Sequence, residues 1–186
     1  MASAYGGSNS SIVLWSYPEL KPKKELLGHS GPISVVIQVE NNYLVSCSFD
    51  TTIIVWDLDK YRGVFSLDCH LSPILSASYH QKSQILICGA LDFSICICAL
   101  DFSGPTLTEF KLMKRIIGEG PIMDIAPVGL DRFLTLENTK ICVYDTRGFK
   151  YSDFELKCLP STFQKLNNDI GVIIDADGLP STFKIA

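Results

Sequence analysis

The chain has 186 residues, a formal net charge of −4, 47% hydrophobic residues and 19% charged residues. That length suits one domain able to bury roughly 70% of its unfolded surface, and so dry a composition excludes disorder over most of the chain. With 16 Lys+Arg against 20 Asp+Glu there is no basic excess, which excludes nucleic-acid binding driven by counterion release.

The first ten residues lack a basic start followed by an apolar core, so they do not read as a secretory signal. No apolar run approaches the ~18 residues of a membrane span. Asn9-Ser10-Ser11 then reads as an ordinary turn, and residues 12–15 as a short apolar strand. Lys21, Lys23 and Lys24 are a solvated strand edge. Residues 33–39, 43–49 and 52–58 are rich in β-branched and aromatic side chains, and turn formers at Glu40-Asn41-Asn42 and Asp50-Thr51 separate them. Residues 95–100 carry apolar side chains on both faces, which requires stacked sheets on either side. No stretch holds a 3.6-residue period long enough for a helix. Seven cysteines (Cys47, Cys69, Cys88, Cys96, Cys98, Cys142 and Cys158) are an odd number set inside apolar runs. They read as reduced thiols packed as small hydrophobes, in an intracellular, reducing compartment, the cytoplasm.

The chain repeats itself. Ser10-Ser11-Ile12-Val13-Leu14-Trp15 matches Thr51-Thr52-Ile53-Ile54-Val55-Trp56, and Gly28-His29-Ser30-Gly31-Pro32-Ile33 matches Cys69-His70-Leu71-Ser72-Pro73-Ile74, both pairs 41 residues apart. Residues 86–92 repeat 44–50, Gly120-Pro121-Ile122 repeats Ser72-Pro73-Ile74, and Lys140-Ile141-Cys142-Val143-Tyr144-Asp145 repeats the strand that ends in Trp56-Asp57. One longer connection is expected around residues 101–118. A ~41-residue unit of four short strands is the period of β-propeller blades, whose faces are covered by their neighbours.

On these residues the chain resembles the WD-repeat family, most closely from Gly28-His29 through Ser46 and Asp50 to Trp56-Asp57. The resemblance implies an all-β propeller of four-stranded antiparallel blades, incomplete at about 4 to 5 units. The units fall at 4–27 (partial), 28–68, 69–117, 118–157 and 158–186 (partial and divergent), in an open arc or partial ring. It implies a hydrogen-bonded tetrad, His29, Ser46, Asp50 and Trp56, that locks a blade. Partial tetrads follow at His70 and Asp92, with Cys88 in place of Ser46 and Cys98 in place of Trp56. Asn138 and Tyr144 stand for the turn Asp and the Trp of the next unit, whose Glu119 lies near the His position. Trp15 remains in the opening unit, with Tyr5 and Asn9 beside it. In such proteins partners dock where the first strand bulges and before the turn Asp. Those positions here are Pro32, Ser34, Pro73, Leu75, Pro121, Met123, Phe49, Leu91, Glu137 and Ser8. Phe49, Pro73, Leu75, Leu91 and Met123, with Glu137, form the candidate partner face, which could equally fill gaps between blades.

The expected function is an intracellular protein–protein interaction scaffold for a protein or peptide, with no nucleic acid, no membrane span, no cofactor and no metal. The alternative is a non-binding structural part of a larger ring completed by further blades or another chain. A third reading, a Cys–His hydrolase using Cys69 or Cys88 with His70 or His80, has no third orienting group, so no catalytic residue is expected. Cys69-His70 and Cys96-x-Cys98 lack the spacing of a zinc ribbon or finger and read as core. His80 reads as a surface or turn residue. Leu159-Pro-Ser-Thr-Phe163, repeated at residues 179–183, reads as two strand starts.

Overall fold

The computed structural model describes residues 2–4, 10–40, 42–129, 131–156, 160–165, 170–175 and 180–184. The described elements are strands, apart from one 3-10 turn at Gln81–Ser83, and no helix is long and apolar enough to cross a membrane. A first sheet holds β1 (Ala2–Ala4), β2 (Ile12–Trp15) and β3 (Pro22–Leu26). Three four-stranded blades follow. The first has β4 (Ile33–Gln38), β5 (Tyr43–Ser48), β6 (Thr52–Asp57) and β7 (Arg62–Asp68). The second has β8 (Ile74–His80), β9 (Ile85–Ala90), β10 (Ser94–Ser103) and β11 (Thr106–Ile117). The third has β12 (Ile122–Val128), β13 (Arg132–Glu137), β14 (Lys140–Asp145) and β15 (Lys150–Glu155). The last sheet is β16 (Pro160–Lys165), β17 (Ile170–Asp175) and β18 (Pro180–Lys184), so the two Pro-Ser-Thr-Phe copies flank β17 on either side.

Every strand pair is antiparallel and joins neighbours in sequence. β1 packs on β4, β4 on β8, β8 on β12 and β12 on β16, which sets the sheets in a row. Three whole blades between two three-stranded sheets make an incomplete propeller.

The two-residue period of a strand explains the core. In the first blade Leu44, Ile54 and Trp56 face the first sheet and pack on Ile12, Leu14 and Leu26. Val45, Cys47, Ile53 and Val55 point the other way and meet Leu86, Cys88, Cys96 and Cys98 of the second blade. Ile85, Ile87, Ile95 and Ile97 then meet Ile122, Ile125 and Phe133 of the third. Each blade is apolar on both faces because it is sandwiched. At Gly89 this contact leaves no room: a Cβ there would lie 2.2 Å from Ile122 Cγ2.

The longer connection around residues 101–118 is a hairpin, since β10 and β11 run on across it. The reason lies at the turn after the third strand. Asp57 accepts hydrogen bonds there from the Asp59 and Lys60 N–H groups, and Asp145 from those of Arg147 and Phe149. Strand register puts Ala99 at that point of the second blade. Ala99 has no side chain to close a turn, and the strand continues. The extension is held by Leu107 and Phe110, both buried, and by the Leu107 N–H donating to Tyr43 Oη at 3.2 Å.

His80 is buried, not at the surface. Its Nε2–H donates to the Gly129 carbonyl at 3.1 Å and its Nδ1 accepts from Ser83 Oγ at 2.7 Å, which ties the second blade to the third.

Candidate functional site

The first blade contains an unbroken relay. Trp56 Nε1–H donates to Ser46 Oγ at 2.8 Å, Ser46 Oγ–H to His29 Nε2 at 2.7 Å, and His29 Nδ1–H to Asp50 Oδ2 at 2.9 Å. Ser46 and His29 are buried, so each polar atom needs the partner it has. Asp50 also accepts from the Ser30 N–H and from the Thr52 N–H and hydroxyl. Burial pushes the Asp50 carboxyl up, but the hydrogen bonds from Thr52, Ser30 and His29 outweigh it and hold its pKa well below the usual carboxylate range.

The second blade keeps the imidazole and loses the relay. His70 Nδ1 meets Ser94 Oγ at 2.6 Å and is 3.8 Å from Asp92, whose carboxylate takes the Ser94 hydroxyl, the Leu71 N–H and Arg115. His70 Nε2 is buried without a hydrogen-bond partner. Cys88, opposite Cys96, and Cys98, opposite Leu86, occupy the register positions of Ser46 and Trp56. The thiols around Cys69, Cys88 first and then Cys96 and Cys98, hold its pKa below the ordinary thiol value, and contact with Cys69 pushes Cys88 and Cys98 above it.

The third blade replaces the relay with a carboxylate, which corrects the reading of Glu137. Glu137 is 2% exposed and cannot serve a partner face. Its Oε1 accepts from Thr135 Oγ at 2.6 Å and Tyr144 Oη at 3.0 Å, and its Oε2 from the Glu119 N–H at 2.7 Å. The turn between β13 and β14 is one residue shorter than that between β5 and β6, so Glu137 takes the register of Ser48 rather than Phe49. Asn138 accordingly does not stand for the turn Asp. It is exposed at φ 53°, the left-handed position held by Thr51 and Phe93 in the other blades. Glu119 is exposed between Lys140 and Lys150 and supplies only its backbone to this cluster. Thr135, at the Ser46 position, is the member of the cluster that sequence reasoning missed.

In the opening sheet Trp15 is half-buried beside a cleft of about 300 Å³ shared with Lys23, Gln38, Leu58 and Tyr61. Tyr5, Ser8 and Asn9 lie outside the described residues.

One end of the blades gathers most of the candidate partner residues. The first strands bulge at Ser34, Leu75 and Met123, where register slips between Ile33 and Val35, Ile74 and Ser76, and Ile122 and Asp124. The Phe49 N–H donates to the Pro32 carbonyl at 2.8 Å and the Leu91 N–H to that of Pro73 at 3.1 Å, so the turns and bulges share that end. Phe49 is 45% exposed, Leu91 48% and Met123 48%. Pro73 and Leu75 are half-buried. Leu71, 79% exposed, and Phe93 stand near the same turns and had not been singled out.

Residues 20–57 and 62–98 match a family model described as "WD domain, G-beta repeat". WD repeat-containing protein 41 of Homo sapiens is 26% identical over 106 residues, covering 53% of this chain and 23% of that protein. The guanine nucleotide-binding protein subunit beta of Schizosaccharomyces pombe is 32% identical over 78 residues, 41% of this chain and 25% of that protein. SIR4-interacting protein SIF2 of Saccharomyces cerevisiae is 30% identical over 95 residues, 50% of this chain and 18% of that protein. The chain thus spans about a quarter, or less, of the length of these curated relatives.

Proposed function

We propose, from the match of residues 20–57 and 62–98 to the WD-domain model, that the chain acts as an intracellular scaffold that takes a protein or peptide partner on the bulge-and-turn end of its blades. The observation that carries this reading is the recurrence of a large exposed apolar side chain at that end of each whole blade: Phe49, Leu91 and Met123. Grouped apolar side chains of this kind are the usual anchors of protein interfaces. Pro73 and Leu75, both half-buried, belong to the same end of the second blade. Two of the relatives are themselves described by an assembly, one as a subunit and one as SIR4-interacting.

The experiment is a pull-down in which the partners recovered by the native chain are compared with those of Leu91→Asp and Phe49→Ala, with folding checked by circular dichroism. Loss of a partner by at least about tenfold on either change supports the face, as expected for an interface anchor. Unchanged recovery by both removes it.

A second reading is favoured by the three-stranded sheets at either end: a structural part of a larger ring with no site of its own. Self-association that rises with concentration while both variants bind as the native chain does favours that reading. The hydrolase reading gains no support, since Cys69, Cys88, His70 and His80 are all buried.

A further inference from the structure

Cys47, Cys69, Cys88, Cys96 and Cys98 share the single core between the first and second blades. Packing as small hydrophobes accounts for each cysteine alone, but not for the convergence of their donor atoms. The Sγ atoms of Cys69, Cys88 and Cys98 all lie within 4.8 Å of one another. Cys69 Sγ, Cys96 Sγ and a ring nitrogen of His70 form a second group of the same span, so Cys69 joins the two. All five residues are buried.

The positions explain the chemistry. Cys88 and Cys98 occupy the places of Ser46, which in the first blade satisfies His29 Nε2, and of Trp56, which donates to Ser46. The second blade therefore exchanges a hard oxygen and an indole N–H for two soft sulfurs. His70 turns Nδ1 toward Ser94, Asp92 and the Cys96 Sγ, the last at 3.9 Å, and its other ring nitrogen is Nε2. That nitrogen is buried and unpaired. An unpaired buried polar atom is costly, and a metal bond would remove the cost.

We propose that this cluster is a structural zinc site, with Cys69, Cys88 and Cys98 as thiolate ligands and His70, which the structure sets beside Cys69 and Cys96 rather than beside Cys88 and Cys98, turning in as the nitrogen ligand when the ion binds. Three sulfurs and one imidazole are a recurrent set for closed, tetrahedral zinc. Zinc–sulfur bonds of about 2.3 Å place tetrahedral sulfurs about 3.8 Å apart, so the three thiols need to draw in by about 1 Å or less. Binding exchanges three S–H protons, released to solvent, for one divalent ion, with no change of oxidation state. Cys96 stays outside the set, because its S–H donates to the Cys69 carbonyl at 3.2 Å and steadies that ligand's backbone. The ligands come from the segment before β8 and from the adjacent strands β9 and β10. The spacing rule for fingers and ribbons, which join ligands within one turn, does not apply to them.

The test uses the whole chain produced with zinc in the medium, desalted, and denatured to release bound metal. The expected result is about one zinc per chain, and, after exchange, the thiolate-to-metal absorption of tetrahedral cobalt(II). Cys88→Ser and Cys98→Val should each fall below about a tenth of that content. Cys142→Ser, equally buried but in the next core, should keep it. The native metal count and cobalt spectrum stand even if a core variant fails to fold. A folded native chain without zinc and without the cobalt absorption overturns the proposal. A disulfide among the three thiols, or copper(I) held in preference to zinc, overturns it as well.

Discussion

Ser46 accepts a hydrogen bond from Trp56 and gives one to His29. Ser46→Ala therefore strands two buried groups at once and should lower stability by about 2–4 kcal/mol, read as a shift in the urea midpoint. Asp50 carries the pH dependence of the same relay. Its folded pKa is depressed, so its contribution is complete above the ordinary carboxyl value near 4 and is lost as pH falls through the lower folded value. Denaturation midpoints between about pH 5 and pH 2 should fall less steeply for Asp50→Asn than for the native chain, and parallel slopes would contradict this. Glu137→Ala should cost about 1–3 kcal/mol by leaving Tyr144 and Thr135 without an acceptor, with partner recovery unaffected in the folded fraction. The first-blade residues were legible because His29 recurs as His70 and Trp15 as Trp56, each 41 residues on, Asp50 recurs as Asp92, and Ser46 stands at the matching position of the WD-repeat pattern. Glu137 was not, because a turn shortened by one residue shifts every later match. The signal was present: Thr135 and Tyr144 are nine positions apart, where Ser46 and Trp56 are ten.

At the scale of the element, the repeat marked strands and their boundaries well wherever a turn-forming Asp or Asn stood at the expected offset. It left the form of the connection at residues 101–118 open, since the absence of an Asp at Ala99 lengthens the hairpin without disturbing strand propensity. The contact between blades was equally hidden, because Gly89 looks like a breaker within a strand. In the structure it is the notch that admits Ile122. Gly89→Ala should therefore cost about 1–3 kcal/mol through overpacking, and Ile122→Val should recover part of that loss. A thermal-melt series of the two single changes and the double would show it. Simple addition of the two losses would mean that the second and third blades are not in contact there.

At the scale of the whole molecule, the cores among the described residues are separate layers, three of them each shared by two adjacent sheets. Stability in such a stack is close to a sum of blade terms and nearest-neighbour terms. A defect in one layer should then loosen the sheets on either side and leave more distant ones protected. Phe133, fully buried against Ile87, Ile95 and Ile97 of the second blade, tests the layer between the second and third blades. Val55 tests the layer between the first and second. Phe133→Ala should speed native-state amide exchange in β12–β15 by at least about tenfold while leaving β4–β7 within about twofold, and Val55→Ala should reverse the order for β4–β7 and β12–β15. Trp56 of the relay lies in the layer between the first sheet and the first blade, and the sulfur cluster lies in the Val55 layer itself, so Val55→Ala disturbs the cluster more directly than the relay. Equal acceleration across all three blades in both variants would show instead that the stack opens as one unit, and the blades would then have to be treated as a single cooperative domain.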